Sequence, residues 1–267
     1  MYKLIATDMD GTLVNSKREI SQNNIDMIIK AQKEKGVKFV LASGRVEEAM
    51  INQAKLLKLD QYGGYILSYN GSRIIECKSN EVIYNKSISR DEIKELLEIS
   101  NKYDVALVTY IDGLLYYNKE HKYVDEEEKI TTFTKHKYET IDDIKVSTVG
   151  KCMFIGDVDK LAKLMEYLKG IYKDKFYITL SSPYFLEILN KDVSKGRSLK
   201  KLCEILGIDI KDMIACGDSY NDSDMLEVAG LSVAAKNAVQ DIKDIADYVS
   251  VTNDEGVLAD VINKYVI

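Results

Sequence analysis

The stretch Leu4-Ile5-Ala6-Thr7-Asp8-Met9-Asp10-Gly11-Thr12-Leu13 decides how the rest of the chain is read. Leu4-Ile5-Ala6 predicts a buried strand, and two carboxylates follow it, two residues apart. Gly11 then lets the chain turn sharply. A strand ending in such a turn can set one carboxylate and the next backbone carbonyl around a single hard cation. Magnesium favours that all-oxygen environment. One aspartate can attack a phosphorus while the other handles a proton. A plain turn with Asp10 as its cap is the reading this stretch alone leaves open.

Outward from this point, strand and helix alternate. Ser21 caps a predicted helix ending at Lys35 before Gly36, with Ile25, Ile28 and Ile29 on one face. Residues 37–42 are apolar apart from Lys38 and predict a buried parallel strand. Residues 46–57 predict a helix and 65–68 a strand. That order predicts a parallel sheet covered on both faces.

The rhythm then changes. Residues 73–75 and 82–84 predict a strand pair, and Ser89 caps a helix to Tyr103. Asp112-Gly113 marks a hairpin between 105–110 and 114–117. Residues 120–134 are polar and weakly patterned. Strands are predicted at 152–155, 176–180 and 185–189, with a helix over 157–171. From Ser194 the alternation returns: a helix to Leu206, then strands at 213–216, 231–234 and 248–251, and helices at 222–228, 239–245 and 256–265. The expected fold class is α/β. A doubly wound, mainly parallel core over 1–82 and 188–267 is interrupted by an inserted α+β domain over 83–187.

Three further polar sites fall at strand ends or helix starts, positions that line one crevice in an open α/β sheet. Ser43-Gly44-Arg45 follows the 37–42 strand. A hydroxyl and free N–H groups at a helix start suit a phosphate, although Ser-Gly alone is more often an ordinary cap. Lys195, in Val193-Ser194-Lys195-Gly196, opens a helix, where its charge opposes the helix dipole unless an anion lies nearby, a plain solvent-exposed lysine being the alternative. Gly217-Asp218-Ser219-Tyr220-Asn221-Asp222-Ser223-Asp224 follows the 213–216 strand. Its oxygen donors can complete a cation site or simply cap a loop.

Composition narrows the function classes. The net charge of −6, from 37 basic and 43 acidic residues, argues against non-specific nucleic-acid binding. Cys77, Cys152, Cys203 and Cys216 form no CxxC pair, and His121 and His136 are the only histidines, so zinc is not expected. The cysteines read as free thiols of a reducing compartment. No apolar run approaches the roughly 18 residues that span a bilayer. With no basic-then-apolar leader, a cytoplasmic protein without a membrane partner is expected. Neither GxxxxGK[ST] nor GxGxxG occurs, which weighs against a nucleotide-binding module.

In order and placement the four sites resemble the haloacid dehalogenase (HAD) superfamily, and within it the Cof-type, type-IIB capped phosphatases. The resemblance covers essentially the whole chain. Asp8-Met9-Asp10-Gly11-Thr12-Leu13 matches the first motif, Leu41-Ala42-Ser43-Gly44-Arg45 the second, Val193-Ser194-Lys195-Gly196 the third and Gly217-Asp218 through Asn221-Asp222 the fourth. Ser68-Tyr69-Asn70-Gly71, and Asn253 to Val257, are also typical. Ser219 departs from a frequent Asn. Lys236, in Ala235-Lys236-Asn237-Ala238, stands where many relatives carry Gly and could alter the nearby loop.

The resemblance implies a Rossmann-like HAD core and a phosphatase mechanism. Asp8 would be the nucleophile and form an aspartyl-phosphate; Asp10 would protonate the leaving oxygen and then activate water. Magnesium would be held by the Asp8 side chain, the Asp10 carbonyl and Asp218, with Asp222 in support. Ser43, Lys195, Asn221 and the N–H groups of Met9 and Gly44 would hold the phosphate. The inserted domain would be a cap that closes over the crevice and meets the leaving group. The expected substrate is a small phosphorylated metabolite, a sugar phosphate first, then nucleotide, pyridoxal or flavin phosphates. A phosphomutase is the rival within the same chemistry. A receiver-like phospho-acceptor is the non-enzymatic rival, but it needs neither an acid/base two residues after the acceptor nor a large insert. The sequence leaves the oligomeric state open.

Overall fold

In the computed structural model, which describes Met1–Ile267, Leu4, Ile5 and Ala6 are all fully buried. Leu4 and Ala6 join one hydrophobic cluster and Ile5 another. Successive strand side chains point to opposite faces, so a strand apolar at every position must be covered on both. The Leu4–Thr7 strand accordingly sits inside an eight-stranded sheet, parallel to Met213–Gly217 on one side and Lys38–Ala42 on the other. Beyond Met213–Gly217 the parallel ladder continues through Leu231–Ala234 and Tyr248–Val249, and beyond Lys38–Ala42 through Tyr65–Ser68. Arg73–Glu76 and Val82–Asn85 finish that second edge antiparallel.

Helices Gln22–Lys35 and Val257–Tyr265 bring Ile25, Ile28, Leu258 and Val261 to the Ile5 face. Helices Lys195–Leu206 and Ser223–Val228 bring Leu199, Leu202, Met225 and Leu226 to the other. Two of the ends are those read from the sequence: Ser21 accepts the Asn24 N–H at 3.3 Å, and Gly36 closes the first helix in the left-handed region. Ser194 is a cap the sequence reading did not assign, accepting the Arg197 N–H at 3.2 Å. The expected helix over 46–57 is instead a 3-10 turn at Glu47–Ala49 followed by Ile51–Leu56. A separate turn of helix, Leu59–Tyr62, starts after Lys58, whose φ is +56°.

The chain divides into two compact units, Met1–Asn85 with Ser194–Ile267, and Lys86–Val193. The boundaries expected at 83 and 187 fall inside strands, and a strand cannot be divided without halving its ladder. Val82–Asn85 pairs with Arg73–Glu76 in the first unit, while Phe185–Asn190 pairs with Cys152–Ile155 and Phe176–Ser182 in the second.

The second unit carries a six-stranded sheet in the order Phe176–Ser182, Phe185–Asn190, Cys152–Ile155, Ala106–Ile111, Leu114–Tyr117, Thr134–Lys137. Helices Arg90–Tyr103 and Val158–Tyr172 pack Ile93, Leu96, Leu161 and Leu164 against Leu107, Phe154 and Leu186. Only its last strand pair is parallel, and a parallel pair needs a crossover. That crossover is the helix Lys122–Thr131, in the segment where the sequence predicted no element. Its apolar signal is faint because Val124 and Glu127 are its only buried residues. All four cysteines are free, and no helix is long and apolar enough to cross a membrane.

Candidate active site

Thr7 lies in register with Leu41 on one side and Cys216 on the other. Three parallel strands therefore end together, and Asp8, Ser43 and Asp218 leave the sheet at their shared C-terminal end. The Asp8 N–H continues the ladder to the Cys216 carbonyl at 2.9 Å. Gly11 has φ +85°, and a Cβ there would meet Asp218 Oδ2 at 2.5 Å. Glycine at that turn thus admits the carboxylate supplied from the far end of the chain. Thr12 Oγ1 donates to Asp218 Oδ1 at 2.8 Å and holds it there.

Lys195 is buried between two carboxylates. Its Nζ donates to Asp8 Oδ1 at 2.5 Å and to Asp222 Oδ1 at 2.6 Å. Asp222 Oδ2 accepts the N–H groups of Asp218 at 3.0 Å and Ser219 at 3.1 Å. Both oxygens of Asp222 are thereby engaged in holding Lys195 and the 217–222 loop. Asp8, Asp218 and Asp222 can each bring one oxygen within 4.8 Å of the others.

The electrostatics follow from three carboxylates facing one ammonium. Burial, and after it the charges of Asp222 and Asp218, lift Asp8 to about 7 against the pull of Lys195. Burial also dominates at Asp218, and with Asp222 and Asp10 lifts it to about 6 against the Thr12 hydrogen bond and Lys195. At Lys195 burial opposes the charge, but Asp8 and Asp222 together outweigh it and hold the ammonium above the usual lysine range. An all-oxygen donor set with surplus negative charge fits a hard divalent cation.

The remaining expected residues are distributed around this centre. Ser43 is buried, and its Oγ accepts the Arg45 N–H at 3.2 Å. Gly44 lies against Asn70, whose amide atoms would stand 3.1–3.2 Å from a Cβ placed there. Asn221 Nδ2 donates to Asn70 Oδ1 at 3.2 Å. The Met9 side chain is fully buried in the core, which leaves only its main chain to a ligand. Asp10 stands apart from the carboxylate cluster with its side chain 60% exposed. Arg45 grips it as a fork, Nη2 to Oδ1 at 2.5 Å and Nε to Oδ2 at 2.8 Å.

Arg45, Thr12 and Asn70 stand in the sequence motifs without a role that the sequence assigns. For Arg45, the signal in the sequence was only a cation at a predicted helix start. Lys236 is exposed, while its neighbour Asn237 donates to the Gly11 carbonyl at 2.8 Å. The bulkier residue thus leaves the tie between that loop and the first turn in place.

A family model described as haloacid dehalogenase-like hydrolase matches residues 5–262. The chain belongs to the haloacid dehalogenase-like hydrolases. A haloacid dehalogenase-like hydrolase from Bacteroides thetaiotaomicron is 34% identical with a TM-score of 0.91, the match covering 99% of each chain. The 5-amino-6-(5-phospho-D-ribitylamino)uracil phosphatase YcsE of Bacillus subtilis (strain 168) is 30% identical, over 99% of this chain and 96% of its own. The subclass IIB sugar phosphatase BT4131 shares the fold with a TM-score of 0.80, at 23% identity and 98% coverage of both chains. This HAD-like hydrolase is thus an enzyme of the phosphatase type, with a buried aspartate cluster suited to a metal ion.

Proposed function

We propose that this HAD-like hydrolase is a magnesium-dependent phosphomonoesterase acting on a small phosphorylated metabolite through an aspartyl-phosphate. The observation that carries the reading is the buried triad in which Lys195 bridges Asp8 and Asp222, with Asp218 beside them. Asp8 Oδ2 is the oxygen that Lys195 does not hold, and we assign it the attack on phosphorus. As the phosphorus–leaving-oxygen bond breaks, Asp10, released from the Arg45 fork and protonated, delivers its proton to that oxygen. In the second half, Asp10 takes a proton from water as the water oxygen bonds to phosphorus. The bond to Asp8 then breaks and inorganic phosphate is freed. Ser43, Asn221 and the N–H groups of Met9 and Gly44 hold the phosphate oxygens, with Lys195 supplying positive charge.

The metal residues in this reading are Asp8, Asp218 and the Asp10 carbonyl, with Asp222 acting through Lys195 and the 217–222 backbone. Bound there, magnesium would offset repulsion between the aspartate and the phosphate. A phosphorylated polyhydroxyl compound is the favoured substrate class. YcsE, named for a phosphoribitylamino substrate, supports that preference. Choice of leaving group is assigned to the inserted Lys86–Val193 unit. Purified protein is expected to hydrolyse an aryl phosphate with magnesium and not with a chelator, and Asp8→Asn to abolish turnover. If a broad panel of phosphate esters with magnesium yields no phosphate, the reading fails.

A further inference from the structure

Three consecutive residues, Tyr69, Asn70 and Gly71, take φ of +50°, +55° and +110°. Glycine adopts that region freely and Asn tolerates it, but a bulky Tyr there is an outlier. Such a turn persists only when its surroundings over-determine it, and such turns cluster at functional sites. Here the Tyr69 N–H donates to the Arg45 carbonyl at 3.0 Å and the Asn70 N–H to the Ser43 carbonyl at 2.9 Å. Ser198 Oγ holds the Gly71 carbonyl at 2.7 Å. The backbone is thus pinned to the Ser43-Gly44-Arg45 turn and to the Lys195–Leu206 helix.

The constraint has one visible product, the placement of the Asn70 amide. It lies against Gly44 so closely that any side chain there would crowd it, and its Oδ1 takes the Asn221 amide at 3.2 Å. Asn70 therefore joins two segments that come from distant regions of the chain. We propose that Asn70 is a positioning residue: it fixes the Asn221 amide relative to the Ser43-Gly44 turn, so that both meet one phosphate together. This rests on the phosphate-binding roles given above to Ser43, Gly44 and Asn221.

The test is inorganic phosphate binding, read by calorimetry with magnesium present, so no turnover is required. Asn70→Gly keeps a residue at ease with positive φ and is expected to retain the melting temperature. It is expected to weaken phosphate binding about tenfold, the scale of one hydrogen bond to a charged group. The magnesium dissociation constant, read by the same calorimetry, should stay unchanged, which general damage to the site would not allow. Asn221→Ala should cost little more in the Asn70→Gly background. It should cost its full amount in Asn70→Asp, which keeps the acceptor oxygen and the fold. The proposal is overturned if Asn70→Gly binds phosphate within twofold of wild type, or if the two losses simply add. Wild type that binds phosphate but hydrolyses no ester would sink the phosphatase reading while leaving this inference standing.

Discussion

Lys195, at 1% exposure, is the residue on which the site's charge balance turns. An ammonium survives in that interior because Asp8 and Asp222 each accept from it, and each of them tolerates burial because of it. Removing one member of such a group strands charge, at a cost of about 3–5 kcal/mol. Lys195→Met is therefore expected to lose stability on that scale in urea unfolding, besides losing turnover. The lysine was legible in the sequence because a cation at a helix start contradicts the dipole and asks for an anion. The fork between Arg45 and Asp10 was not legible. Its partners are 35 residues apart, and only the turn that swings Asp10 away from the carboxylate cluster creates the pairing. Asn70 escaped for the same reason, since nothing local to Ser68-Tyr69-Asn70-Gly71 reveals that Asn221 lies across from it.

At the scale of elements, helices that announce themselves do so through caps and an apolar stripe. Gln22–Lys35 has Ser21, Gly36, Ile25 and Ile28, and its predicted and observed limits agree. Lys122–Thr131 has neither a strong stripe nor a usual cap: His121 accepts the Tyr123 N–H through Nδ1 at 3.4 Å. Besides the buried Val124, what docks it is polar, Tyr110 Oη donating to Glu127 Oε1 at 2.5 Å beside the buried Lys151–Glu187 pair. Burial raises the Glu127 carboxyl above the usual range, against the Tyr110 hydrogen bond and Lys151. The folded state thus holds that proton more tightly than the unfolded state. Wild-type stability contributed here is lost as pH rises through the raised value, and below the ordinary value of about 4.3 both states are protonated and no difference remains. Glu127→Gln keeps an acceptor for Tyr110 and cannot ionise. Its denaturation midpoint is expected to exceed that of wild type at pH 8 and to converge with it at pH 4. Equal midpoints at both pH values would show that ionisation of Glu127 costs nothing.

At the scale of the whole molecule, each unit has apolar clusters of its own: those around Ile5 and Leu4 in the first, and that around Leu107 and Phe154 in the second. A unit with its own core can fold alone. The isolated 86–193 segment is expected to melt cooperatively by circular dichroism, and a broad non-cooperative melt would count against its independence. The change from parallel strands to hairpins made the insertion visible in sequence. Its limits were not visible, because Val82–Asn85 and Phe185–Asn190 reveal which sheet they join only through their partners. The same topology sets a timetable for synthesis. Leu4 pairs with Met213, and 213 minus 4 is 209 residues of chain. At about 5–20 residues per second, the second strand leaves the ribosome some 10–40 s after the first. Through that interval Leu4–Thr7 can pair with Lys38–Ala42 on one side only. Its other side is an unpaired apolar edge that invites strands from neighbouring nascent chains. Crowded translation is thus a condition under which this fold is exposed to aggregation.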